Sequence, residues 1–282
     1  MADAALTIDA LAARIATVHA ALRERAPLTQ CLTNYVSMDL AANLLTAAGA
    51  SPAMVHDERE AGELAGLADA VVVNIGTLSP PWVAGMRAAA QVAVERGRPW
   101  VLDPVAVGAT AYRRATAAEL IGLRPTVIRG NASEIRALAG GGPGGRGVDA
   151  TEESVAVVDD AVALARSSGA VVVVSGATDV VTDGARVVLL TGGDARMPLV
   201  SALGCASSAL VGACAGVADD PLIGAAAAMT VLAVAGRRAG RLAAGPGTLR
   251  AHLLDELAAL DSLDPQALRL DGPSIEVRGA DA

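Results

Sequence analysis

The chain has 282 residues, a formal net charge of −8, and 53% hydrophobic against 18% charged residues. An apolar share of that size can build a core and excludes general disorder, while an acidic balance with no basic run makes nucleic acid a poor partner. All 22 basic residues are Arg and none is Lys, which excludes a Walker-type phosphate lysine, a lysine Schiff base and the ATP lysine of protein kinases.

The chain opens Met-Ala-Asp, with Asp3 and Asp9 ahead of any base, unlike a secretory leader. Cys31, Cys205 and Cys214 form no paired framework, so a reducing cytoplasm is the expected setting, with no membrane partner. A helix is predicted over 8–24 and a strand over 28–33, which holds Cys31 as packing. Helices over 38–48 and 58–67 precede a strand over 69–75, a helix over 82–95 and a strand over 99–102. Asp103-Pro104 follows that strand directly. Ligands of open parallel sheets bind at the carboxyl ends of strands, so Asp103 is placed for metal or phosphate work, and a plain turn is the alternative.

After a helix over 115–123 and a strand over 126–128 comes Arg129-Gly130-Asn131-Ala132-Ser133-Glu134. Asn131 reads as the N-cap of a helix over 132–138, with Glu134 as its capping-box partner. The same junction also sets an anion binder, a carboxamide and a metal-capable carboxylate at one strand end. Asp103 and Glu134 together suit Mg2+ held through water. The glycine-rich stretch 140–147 reads as a surface loop within one domain. A helix over 152–167 leads to a strand over 170–174, where Ser175-Gly176 suits close approach by phosphate. Strands over 180–182 and 186–190 follow. Continuous Val, Ile and Leu strands alternating with helices predict an α/β fold, a mostly parallel central sheet covered by helices on both faces.

Residues 199–218 are uncharged over about the ~20 residues of a membrane span, but they are rich in Ala, Gly and Ser. They read as a loop and then a buried helix over 205–217. The loop Ser201-Ala202-Leu203-Gly204-Cys205 offers free N–H groups and a helix dipole to an anion. The same dipole would lower the Cys205 thiol pKa toward partial thiolate; the alternative keeps Cys205 as a small core residue. Cys214 reads as packing. Helices over 222–243 and 249–260 complete a single domain over 1–260, and the tail over 261–282 loses periodicity and is expected to be partly disordered. His19, His56 and His252 have no metal-ligand spacing.

Several segments together resemble the hydroxyethylthiazole kinase family: Thr33-Asn34-Tyr35-Val36, the run from Gly49 through Met54 to His56, Asn74-Ile75-Gly76-Thr77, Leu102-Asp103-Pro104-Val105, Asn131-Ala132-Ser133-Glu134 and Gly147-Val148-Asp149. The resemblance implies a ribokinase-like fold and phosphorylation by Mg-ATP of the primary alcohol of 4-methyl-5-(2-hydroxyethyl)thiazole, a step of thiamine salvage. It also implies a homotrimer with active sites between subunits. It places Met54, Asn34, Ala202 and Gly204 on the thiazole, Arg129, Asn131 and Ser175 on ATP, Asp103 and Glu134 near Mg2+, and Cys205 beside the reacting hydroxyl. Two departures stand out. The family's usual Thr-Gly-Thr-Gly-Cys is Ser201-Ala202-Leu203-Gly204-Cys205 here, so Leu203 crowds the loop if it points inward. The usual Thr-Gly-Glu is Ser175-Gly176-Ala177, with a carboxylate displaced to Asp179. The alternatives are a kinase of another vitamin-precursor alcohol, an ADP-dependent lyase of similar fold, and a thiazole-binding relative without turnover.

Overall fold

Several helix starts along the chain are set by side-chain caps. The computed structural model describes residues 6–140, 153–265, 268 and 272–281; most of the glycine-rich stretch, with Gly147-Val148-Asp149, lies outside the described residues. Thr7 caps α1 (Ile8–Arg25), which leads to β1 (Leu28–Leu32), α2 (Met38–Ala48) and β2 (Ser51–Ala53). The helix expected over 58–67 shortens to α3 (Ala61–Ala65), ahead of β3 (Ala70–Asn74). Ser79 caps α4 (Pro80–Glu95), and β4 (Trp100–Asp103) follows. Thr110 caps α5 (Ala111–Gly122), which therefore starts earlier than its apolar spacing predicts. Next come β5 (Val127–Asn131), α6 (Ala132–Leu138) and, after a 3-10 turn at Ser154–Val157, α7 (Val158–Ser168). The chain closes with β6 (Val171–Ser175), β7 (Thr178–Thr182), β8 (Arg186–Thr191), α8 (Leu203–Ala215), α9 (Pro221–Leu242), α10 (Pro246–Ala258) and β9 (Ser274–Gly279).

The strands form one sheet in the order β2-β1-β3-β4-β5-β6-β7-β8-β9. Pairings from β2 through β6 are parallel, and β7, β8 and β9 continue antiparallel. Successive residues of a strand face opposite sides, so β3 sends Val72 into one core and Val71 and Val73 into the other. The first core packs α1, α2, α8, α9 and α10 on the sheet; the second packs α3 through α7. The predicted α/β architecture, a mostly parallel sheet covered on both faces, is therefore the observed one.

Two strands escaped the sequence. β2 carries Pro52 and covers three residues, too short for a periodic signal, and it exists because β1 offers it a parallel edge. Within the tail expected to be partly disordered, Ser274–Gly279 supplies β9, paired with β8 from Arg186↔Gly279 to Thr191↔Ser274. Among the described residues α9 has the length and apolarity to cross a membrane, yet 89% of its span is buried in the protein. Residues 199–218 give the short loop and buried helix that the composition predicts, with α8 spanning Leu203–Ala215 rather than 205–217.

Candidate active site

Parallel pairing brings the carboxyl ends of β1, β3, β4, β5 and β6 to one edge of the sheet. The chain passes to opposite sides of β1 in forming β2 and β3, so the crevice of an open α/β sheet opens there. Asn34, just after β1, donates from Nδ2 to Asn74 Oδ1 at 2.9 Å and to Cys205 Sγ at 3.2 Å. Asn74, the last residue of β3, donates in turn to Asp103 Oδ2 at 2.6 Å. Ser208 of α8 donates its hydroxyl to the same oxygen at 2.8 Å. Asn34, Asn74, Asp103 and Ser208 are all buried. Gly76 is required beside them: a Cβ there would lie 2.7 Å from Asn34 Nδ2 and 2.8 Å from Asn74 Oδ1.

Asn131 and Glu134 form the predicted capping box. Asn131 Oδ1 accepts from Glu134 N at 3.0 Å, and Glu134 Oε2 accepts from Asn131 N at 2.8 Å. The other carboxylate oxygen, Oε1, accepts from Ala106 N at 2.8 Å, which ties the β4 loop to α6. The capping reading is thus correct, and the acid is buried as well. Burial first, then the nearby Asp103 carboxylate, pushes the Glu134 carboxyl up to about 7. Asp103 is also raised, chiefly by burial, with Arg129, Ser208 and Asn74 pulling the other way.

The strand expected to end at residue 128 runs on to Asn131, so Arg129 lies within β5, and the residue is only 7% exposed. Among the described residues its guanidinium makes no hydrogen bond or ion pair, and its Nε is buried without a partner. Its charge still acts on the carboxylates of Asp103, Glu134 and Asp179, so it is compensated at a distance while its hydrogen-bond donors stay unused by protein. Gly204 lies against it, since a Cβ on Gly204 would be 3.1 Å from Arg129 Nη1. The N-cap of α8 is Ala202, in the left-handed region at φ 66°, and no side chain caps the helix. The start of α8 and the Arg129 guanidinium therefore meet where an anion would sit.

The crowding that Leu203 threatens does not arise, because its side chain is buried in the core. The expected thiolate does not arise either. Cys205 sits in the first turn of α8, but burial and then the Asp103 carboxylate push its thiol up to about 12. Desolvation and a like charge outweigh the helix dipole.

Other candidates lie around this centre. Ser175 ends β6 opposite Asn131 in register, and its hydroxyl donates to Gly130 O at 3.4 Å. Asp179 is half-buried across the β6–β7 turn, accepts from Gly176 N at 3.0 Å, and is raised to about 6 chiefly by burial. Met54 follows β2 at the same sheet edge, half-buried against the α1–α2 core, and no hydrogen bond links it to the Asn34–Asp103 network. Asn74 and Ser208 were not singled out as site residues. Asn74 ends an apolar strand as Asp103 does, and Cys205, Ser208 and Gly212 repeat at helical spacing, so both had a signal.

The family model described as "Hydroxyethylthiazole kinase family" matches residues 19–262 of the chain. A hydroxyethylthiazole kinase of Rhizobium etli (strain CIAT 652) is 56% identical over 250 residues, covering 88% of this chain and 97% of that protein. One from Gemmatimonas aurantiaca is 56% identical over 241 residues, 86% of this chain and 87% of that protein. The solved hydroxyethylthiazole kinase structure of Pyrococcus horikoshii OT3 superposes with a TM-score of 0.83 at 35% identity, covering 94% of this chain and 98% of that one. Pyridoxal kinase of Staphylococcus aureus, at 17% identity and a TM-score of 0.61, covers 89% of this chain and 98% of its own and shares the fold.

Proposed function

The chain belongs to the hydroxyethylthiazole kinase family, and from that premise we propose that it transfers the γ-phosphoryl group of ATP to the primary alcohol of 4-methyl-5-(2-hydroxyethyl)thiazole, a thiamine-salvage step. The fold is the ribokinase-like α/β fold expected for such a kinase. The observation that carries the reading is the buried Arg129, its guanidinium without a hydrogen bond among the described residues, beside the uncapped start of α8. Phosphoryl transfer asks for positioning and charge neutralisation rather than covalent chemistry. The alcohol oxygen forms a bond to the γ-phosphorus, the bond to the β–γ bridging oxygen breaks with ADP as leaving group, and the hydroxyl proton passes to water.

Arg129 neutralises transferring phosphate, and the N–H groups of Gly204 and Cys205 face it. Asn131 and Ser175 flank the nucleotide at adjacent strand ends. Asn34, Met54, Ala202 and Gly204 form the thiazole side. The protonated Cys205 orients the hydroxyl rather than accepting its proton. Asp103 and Glu134 suit Mg2+ through water, since two buried, mutually repelling carboxylates are relieved by a divalent cation. Bound there, Mg2+ would offset polyphosphate charge.

We read the assembly as a homotrimer in the cytoplasm. Tyr35 and Val36, 67% and 68% exposed, flank Asn34 and leave an apolar surface at the site's rim for a second subunit. The three free cysteines suit a reducing compartment, which cell fractionation checks.

The deciding experiment follows ADP release from the purified protein with Mg-ATP, with and without the thiazole alcohol, and identifies the product by mass. Thiazole-dependent ADP with a phosphorylated thiazole is the expected result. Thiazole binding in a thermal shift without turnover overturns the kinase in favour of a binding relative; neither binding nor turnover overturns the substrate.

A further inference from the structure

The loop after β4 holds one peptide unit gripped at both ends. The carbonyl of Val105 accepts from Arg113 Nη1 at 2.7 Å, and the N–H of Ala106, in the same peptide, donates to Glu134 Oε1 at 2.8 Å. Ala106 stands at φ 52°, a left-handed conformation that a residue with a Cβ keeps only where its surroundings hold it. Arg113, on the first turn of α5, also donates to Ile75 O at 2.6 Å and to Gly76 O at 2.8 Å. Among the described residues it has no carboxylate partner, so its whole charge is spent on backbone carbonyls. Those carbonyls belong to the two loops that follow Asn74 at the end of β3 and Asp103 at the end of β4.

We propose that Arg113 is a positioning residue for phosphoryl transfer, acting on Glu134 through the Val105–Ala106 peptide while it locks the β3 loop onto the β4 loop. A cationic donor on the carbonyl of an amide polarises the unit and strengthens its N–H as a donor. Arg113 thereby orients the Glu134 carboxylate without touching it, as outer partners orient metal-ligating groups. A planar fork is suited to this, since it reaches three carbonyls from two nitrogens, which an ammonium on a flexible stem does less well. The kinetic side of the proposal rests on the kinase reading; the structural side does not.

The test compares wild type, Arg113→Gln and Arg113→Lys. Hydrogen exchange of the segment 104–109 is followed by mass spectrometry in nucleotide-free protein, with β3 peptides as the internal reference. In parallel, Mn2+ binding with ADP is titrated by electron paramagnetic resonance, and kcat and the thiazole KM are measured. Arg113→Gln should speed exchange of 104–109 while β3 is unchanged, weaken Mn2+ binding by about tenfold or more, and lower kcat by about as much with the thiazole KM held within about twofold. Arg113→Lys should recover part of each. Unchanged exchange at 104–109, exchange that rises equally in β3, or intact Mn2+ binding would each overturn the proposal. If Arg113→Gln does not fold, Arg113→Lys against wild type carries the same comparison. Should wild type fail to phosphorylate the thiazole, the exchange and Mn2+ readings still decide the role of Arg113.

Discussion

At Cys205 two effects of opposite sign meet on one sulfur. The first turn of α8 favours a thiolate, whereas burial and the Asp103 carboxylate oppose it and set the thiol at about 12. Desolvation acts on the whole charge, while the helix end contributes only a partial one. Asn34 Nδ2, 3.2 Å from the sulfur, pulls back only part of the shift. Iodoacetamide should therefore modify Cys205 slowly near neutral pH, with a rate still climbing above pH 10 because the thiolate fraction keeps rising toward that pKa. Mass-spectrometric rates across pH check this, and a plateau reached below about pH 8 would mean that the helix end prevails. Residue by residue, the site's chemistry was partly legible: Asp103 ends β4, and Arg129 within β5 and Glu134 in the first turn of α6 border the next strand-to-helix junction, where the chain order exposes them. The state of Cys205 was not legible, since a pKa depends on neighbours 100 and more positions away in the chain.

α8 reaches the site because of how closely it lies on the sheet. Cys205, Ser208 and Gly212 follow one another at three and four residues and so share a face. At Gly212 that face has no room: a Cβ would be 2.4 Å from Val72 Cγ2 on β3. The same close seat lets Ser208 reach Asp103 at 2.8 Å. Gly212→Ala should cost about 1–3 kcal/mol through overpacking, and Val72→Ala in the same chain should recover part of that loss. Urea denaturation of the two single variants and the double variant measures it; a Gly212→Ala protein as stable as wild type would mean that helix and strand are less tightly seated. Helix existence along the chain was readable from apolar spacing, and N-caps such as Thr7, Ser79 and Asn131 set the starts. How close a helix lies on a strand was not, because it depends on which side chain opposes the glycine across the interface.

For the molecule as a whole, the exposed Tyr35 and Val36 sit beside Asn34, so in the proposed trimer assembly and catalysis would share a border. Tyr35 already packs against Trp82 at 4.9 Å between ring centroids with the planes tilted by 41°, and Trp82 against His56 at 4.5 Å and 59°, giving that rim an aromatic floor. Sedimentation should find the wild type at three times 28.0 kDa, and Val36→Asp should dissociate it with loss of turnover. A wild type that is both monomeric and fully active would sink the trimer. The alternation of apolar strands with helices was enough to establish the α/β class, and the motifs from Thr33 to Cys205 were enough to point to the family. Both follow from short-range patterns, which side-chain period and backbone preference write into the chain. β2 and β9 needed a neighbouring strand edge before they existed at all. The Asn34–Asn74–Asp103–Ser208 network, and the placing of the buried Arg129 near Asp103 and Glu134, arose only once parallel pairing brought separate strands together. Long-range contacts of that kind set burial and charge, and burial and charge are what give the site its chemistry.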